Sequence, residues 1–189
     1  MPLKALLAAL ILKILISTGY TVKPPPGSDP AVLRGQENIA SIERVLDKLT
    51  LDPATTKAVT PPTRREALAR LLLVFGFFEG SWYASPKGDN DAGTACGVLQ
   101  VHAPQLLVEG ATCTKVRASM DLGYEVGLRL ILREEDKCGS LGASLTMFAM
   151  GPWFDPKTKK FSCPPFVLPA IQKRCKIAGL TADCRPTGA

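Results

Sequence analysis

Residues 67–79, ALARLLLVFGFFE, carry the reading that decides the fold. At about 100° per residue, Leu68, Leu72, Phe75 and Glu79 fall on one stripe. From Leu71 onward the segment is apolar nearly all round, the pattern of a helix running through a core. Gly80-Ser81 supplies its stop. Glu79 therefore ends a buried face. Burial disfavours the charged form of a carboxylate, so an acid at that position can keep its proton near neutral pH. An acid held that way can protonate a leaving-group oxygen, the first half of glycoside cleavage.

The flanking sequence is also mostly helical. In 31–49 the apolar positions Val32, Ile39, Ile42, Val45, Leu46 and Leu49 recur at helical spacing. TLDPATTKAVTPPT (50–63) reads as a loop, with Thr63 and Glu66 placed as a capping box for the next helix. Residues 82–96 read as an irregular loop, and at most a short hairpin fits near 82–101. Further helices are expected at 103–109, 118–134, 140–150 and 165–176. Gly123 and Gly127, four apart, should admit a close neighbour. There is no internal repeat. The expected class is mainly α, with little or no β.

At 189 residues the chain is long enough for one sizeable core. LKALLAALILKILI (3–16) has a short apolar region behind a charged start, and Ser17 and Gly19 suit a cleavage site. Residues 1–19 are expected to be a signal peptide or an uncleaved signal-anchor, with membrane anchoring through 3–18 in the second case. A buried N-terminal helix of the domain is the other alternative. PPPGSDP (24–30) makes 20–30 a stiff linker ahead of a domain at 31–189. The six cysteines, all from Cys96 onward, read behind an export signal as up to three disulfides in a secreted or periplasmic protein. Cys175 and Cys184, close in sequence, are the expected pair; the other pairings stay open.

The formal charge is +6, and setting Lys4 and Lys13 aside leaves 21 basic against 17 acidic side chains, +4. That balance suits an anionic polymer such as a cell-wall glycan. No basic run or aromatic-basic interleaving argues for nucleic acid. With no CxxC and one histidine, zinc is the disfavoured alternative for the cysteines, and HExxH cannot be built. No P-loop or GxGxxG is present. No cofactor or metal is expected, and the chain is expected to act as a monomer.

Three segments, taken together, match one family. They are Glu79 at a helix end, the loop GDNDAGTACGVLQVH (88–102), and the helix ending Phe148-Ala149-Met150-Gly151-Pro152. Over about residues 64–155 this trio resembles the soluble lytic transglycosylases of lysozyme-like type, and the loop is similar to that of goose-type lysozymes. The resemblance implies a lysozyme-like α-helical domain with a cleft. It implies cleavage of the β-1,4 bond between N-acetylmuramic acid and N-acetylglucosamine in peptidoglycan strands. By the same resemblance Glu79 is the general acid, Gln100 a residue contacting sugar, and Gly97 a point of close backbone approach. Phe148 and Gly151 fall in the third segment, at cleft positions. Asp89 matches an acidic residue that positions water in hydrolysis; Asp91 is its rival on chemistry alone.

The chain departs from the family in four places. Gly80 stands for a Ser, Phe148 for a Tyr, Ala149 for an Asn and His102 for a goose-type Asp. The hydrolytic route uses two carboxylates. The transglycosylase route needs only Glu79, because the sugar's own 6-hydroxyl attacks. Trp82, Tyr83 and Trp153 are candidates to stack on sugar or to fill core. The alternative function is a non-catalytic wall-binding or structural module that keeps the fold.

Overall fold

The computed structural model describes residues 3–22, 27, 29–84, 94–155 and 159–185. In chain order its helices are α1 (Leu3–Ser17), α2 (Pro30–Thr50), α3 (Thr56–Val59), α4 (Pro62–Gly80), α5 (Ala103–Val108), α6 (Cys113–Ala118), α7 (Met120–Cys138), α8 (Leu141–Met150) and α9 (Pro169–Ala178). Two antiparallel hairpins complete it: β1 (Ala95–Cys96) with β2 (Val101–His102), and β3 (Trp153–Asp155) with β4 (Lys160–Ser162). The protein is mainly α, as its helical periodicities require. The chain forms two compact units, Met1–Gly127 and Leu128–Ala189, divided inside α7.

In the first unit α4 is the central helix, packed against α1, α2 and α3. Leu68, Leu71, Leu72, Leu73, Val74 and Phe75 are all fully buried. From Leu71 to Gly76 no face of the helix meets water, which is why that stretch is apolar all round. The expected Thr63 cap is not used. The helix begins at Pro62, where a missing N–H costs nothing, and Glu66 pairs with Arg70 one turn on. α2 is capped by Asp29, whose carboxylate accepts from the N–H groups of Ala31 (2.8 Å) and Val32 (3.4 Å). The last two residues of the expected linker thus belong to this helix start.

α1 lies against α2 and α4 with Leu7, Leu10, Ile11, Ile14 and Leu15 buried. Gly35 on α2 makes room for it, since a Cβ there would lie 2.7 Å from Ile11 Cδ1. No helix among the described residues is long and apolar enough to cross a membrane.

Several boundaries differ from those read in the sequence. α3 is a single turn within the expected loop. The strong helix expected from Ala118 starts at Met120, because Ser119 is extended and its Oγ accepts the Leu122 N–H (3.2 Å). Residues 113–118 form α6 instead. The last helix begins at Pro169 rather than Pro165, again with proline in its first turn. The β3–β4 hairpin follows the Gly151 stop of α8.

In the second unit α8 packs on α9. Ser144 Oγ donates to the Ile131 carbonyl (2.6 Å), and Thr146 Oγ1 accepts from the Leu168 N–H (3.3 Å). Disulfides Cys138–Cys163 and Cys175–Cys184 close this unit; Cys96–Cys113 ties β1 to α6 in the first. The Cys175–Cys184 pair is the one expected from spacing. None of the six cysteines is free. Three disulfides fit an oxidising, extracellular compartment.

Candidate active site

Glu79 occupies the last turn of α4, one residue before Gly80 ends it. The stripe of Leu68, Leu72 and Phe75 is fully buried, and Glu79 at its end is half-buried. The stripe thus opens toward solvent at its carboxylate.

The chain leaves α4 through two consecutive non-glycine residues in the left-handed region, Ser81 (φ 49°) and Trp82 (φ 62°). Such backbone costs about 1–3 kcal/mol per residue and needs compensation. The compensation is visible. The Ser81 N–H donates to the Phe77 carbonyl (2.8 Å) and the Trp82 N–H to that of Gly76 (3.0 Å). Trp82 Nε1 donates to the Leu73 carbonyl (2.8 Å), and its ring packs edge-on against Phe77. Trp82 is therefore core, and of the two readings given to it the sugar platform falls away.

A second layer fixes that turn. Asn38, wholly buried on α2, donates from Nδ2 to the carbonyls of Arg34 (2.8 Å) and Trp82 (3.2 Å). Its Oδ1 accepts the Tyr124 hydroxyl of α7 (2.6 Å). Tyr124 is fully buried, and burial pushes its phenol well above the usual range. Its ring reaches α4 at Gly76, where a Cβ would strike the hydroxyl. Sequence reading missed Asn38 and Tyr124. The available signal was Asn38 itself, an amide on the inward stripe of α2 between Gly35 and Ile42.

The other half of the site is the turn joining β1 to β2, residues Gly97 to Gln100. Gly97 has φ 75° and lies against Val116 and Gly123, so it needs both glycine's backbone range and its lack of bulk. Gln100 closes the turn at φ 51°. Its N–H (3.1 Å) and its Nε2 (2.8 Å) both donate to the Gly97 carbonyl. Gly127 on α7 lies against Leu99, so the close neighbour expected for the glycine pair is this turn.

The two halves meet at Gly80. A Cβ at that position would sit 2.6 Å from the Val98 carbonyl oxygen. The structure therefore brings the segment of Glu79 against the segment of Gly97 and Gln100. A Ser at 80, the residue of the family that the sequence resembles, would have no room for its side chain.

The remaining expected residues are distributed as follows. Asp89 and Asp91 lie outside the described residues, as does the Trp153 side chain. Phe148 (6% exposed) and Gly151 (φ 79°) belong to the second unit, at the last turn and the stop of α8. His102 is exposed and precedes α5; its N–H donates to Gln105 Oε1 (3.4 Å). Tyr83 is exposed, with the Arg34 guanidinium 4.6 Å over its ring centre. A cavity of about 180 Å³ in the second unit, lined by Gln172, Cys175, Thr181, Cys184 and Arg185, offers no carboxylate, and its two cysteines are joined in a disulfide. Among the described residues no cluster of three or more His, Cys, Asp or Glu is arranged for a metal.

Comparison with protein-family models, with curated proteins and with solved structures found no match.

Proposed function

We propose that this protein is a secreted or periplasmic peptidoglycan-cleaving glycosidase of lysozyme-like fold, with Glu79 as general acid. One observation carries the reading. Of the four non-glycine residues with positive φ among those described, Ser81, Trp82 and Gln100 lie in the two segments that meet beside Glu79. Backbone strain held by a supporting network clusters at functional sites. Here it brackets the one carboxylate that the sequence places at the end of an apolar stripe.

The chemistry follows from a single acid. Glu79 protonates the glycosidic oxygen, and the C1–O bond breaks with oxocarbenium character. The 6-hydroxyl of the same muramyl residue attacks C1 and returns its proton to the Glu79 carboxylate. The products are a free 4-hydroxyl end and a 1,6-anhydro end. This route is favoured over hydrolysis because His102 stands where a goose-type enzyme has its second Asp. Asp89 is the residue for the hydrolytic route.

The second reading, a wall-binding module without activity, draws on Phe148 and Ala149, which lack the hydroxyl and amide of the family pattern. Digestion of purified wall with mass spectrometry of the product ends separates the readings. The expected result is anhydro ends from the native chain and a loss of about 10²–10⁴ in rate in Glu79→Gln. Unchanged walls, with the chain retained on them in a pull-down, would favour the binding module. Products without anhydro ends, with activity collapsing in Asp89→Asn, would make the enzyme a lysozyme.

A further inference from the structure

Four residues past Glu79 the chain presents a surface group that the acid does not require. Tyr83 is anchored through its N–H, which donates to the Gly80 carbonyl (2.8 Å), yet its side chain is 45% exposed. The Arg34 guanidinium covers one face of its ring at 4.6 Å. Arg34 is half-buried on α2, and its Nε is buried with no hydrogen-bond partner among the described residues. The Arg34 carbonyl is held by Asn38, the same amide that holds Trp82. Arg34 and Tyr83 are thus fixed to the frame that fixes the end of α4.

Tyr20, 39% exposed, stands at the cap of the same helix α2. Its hydroxyl donates to the Asp29 carboxylate (3.1 Å). Asp29 is buried, and the N–H groups of Ala31 and Val32 also engage it as the cap of α2. Its charge is therefore committed to the helix start.

A planar cation stacked on an exposed ring offers two recognition elements side by side. The ring's free face suits the C–H face of a pyranose. The guanidinium suits a carboxylate, with charge-assisted bonds stronger than neutral ones. We propose that Arg34 and Tyr83 form a subsite for a pyranose bearing a carboxylate. Muramic acid is such a sugar wherever its lactyl carboxyl carries no stem peptide; N-acetylglucosamine is not. The subsite gives a peptide-free glycan strand a polarity at the site, so that its muramyl residue is chosen by charge rather than by shape alone. This rests on the reading of Glu79 as the acid of a glycan-cleaving site.

The test is binding of two soluble probes to the full chain by calorimetry. One is the disaccharide N-acetylglucosaminyl-N-acetylmuramic acid and the other chitobiose, its neutral counterpart. The native chain should bind the acidic probe at least about tenfold more tightly, a preference of the size one charge-assisted contact gives. Arg34→Gln should erase that preference, Arg34→Lys should keep part of it, and Tyr83→Ala should weaken both probes alike. Thermal unfolding of each variant checks that the fold is kept. Equal affinity for the two probes, or a preference that survives Arg34→Gln, would overturn the proposal. Wall digestion is scored separately. Anhydro products with no Arg34-dependent preference would sink the subsite and leave the enzyme. An Arg34-dependent preference without products would sink the enzyme and leave the subsite.

Discussion

At the scale of single residues, the site is governed by what has no room to be larger. Gly80 touches the Val98 carbonyl, and backbone on both sides leaves little to give. Gly80→Ser should therefore destabilise the protein by about 1–3 kcal/mol, the usual cost of overpacking. Urea unfolding measures it, and a Ser variant as stable as the native chain would mean that the contact is relaxed in solution. The residue scale also marks where sequence reading stops. Glu79 was legible because a charge interrupts an apolar stripe, and that signal is local. Asn38 breaks a stripe in the same way, but its partner Tyr124 lies 86 residues away. Nothing in a run of residues says which amide meets which phenol. Arg34 and Tyr83 are 49 positions apart and face the same difficulty. Trp82 illustrates the converse: an aromatic in a loop reads equally as platform or core, and only its bond to the Leu73 carbonyl decides.

At the scale of elements, long periodic segments were legible and short ones were not. α2, α4 and α8 follow from apolar spacing and their stops, because burial of a face imposes that spacing over several turns. α3 and α6 are too short to show a period. The break at Ser119 depends on one extended residue between helix-forming neighbours. α1 is the element with three readings in sequence, and its packing on α2 and α4 gives a measurable consequence. Ile11 is fully buried against Gly35, so Ile11→Ala should cost about 2–5 kcal/mol in protein that retains residues 1–19. The same substitution should leave no trace on protein trimmed after Gly19, which should itself melt at a lower temperature than the full chain. Thermal unfolding of both forms checks this. Equal melting temperatures for trimmed and full chains would show that α1 adds nothing to the folded domain.

At the scale of the whole molecule, stability against pH follows from groups that link distant parts of the first unit. On the acid side, hydrogen bonds from Arg44 (2.7 Å) and Ser41 (2.5 Å) hold the Asp121 carboxyl below its ordinary range. A depressed carboxylate adds stability above its unfolded value, and that share is lost as pH falls through the folded one. Asp121 is partly exposed, so this arm is shallow. The alkaline arm is sharper, because Tyr124 is fully buried and its phenol is raised by that burial. In the unfolded chain a tyrosine ionises near pH ~10, whereas folded Tyr124 keeps its proton. Above that pH the unfolded state binds fewer protons than the native one, so stability falls as pH rises. Tyr124→Phe removes the titrating group but leaves the Asn38 amide oxygen without its donor, at a cost of about 1–3 kcal/mol. Measured between pH 7 and 9, the gap between native chain and variant should be constant. Above pH ~10 it should narrow, since only the native chain loses the Tyr124 share. Lysine and exposed tyrosine titrations act on both proteins and cancel in the difference. A gap that stays flat through the alkaline range would show that Tyr124 ionises in the folded state. The network holding the turn beside Glu79 would then be open to water.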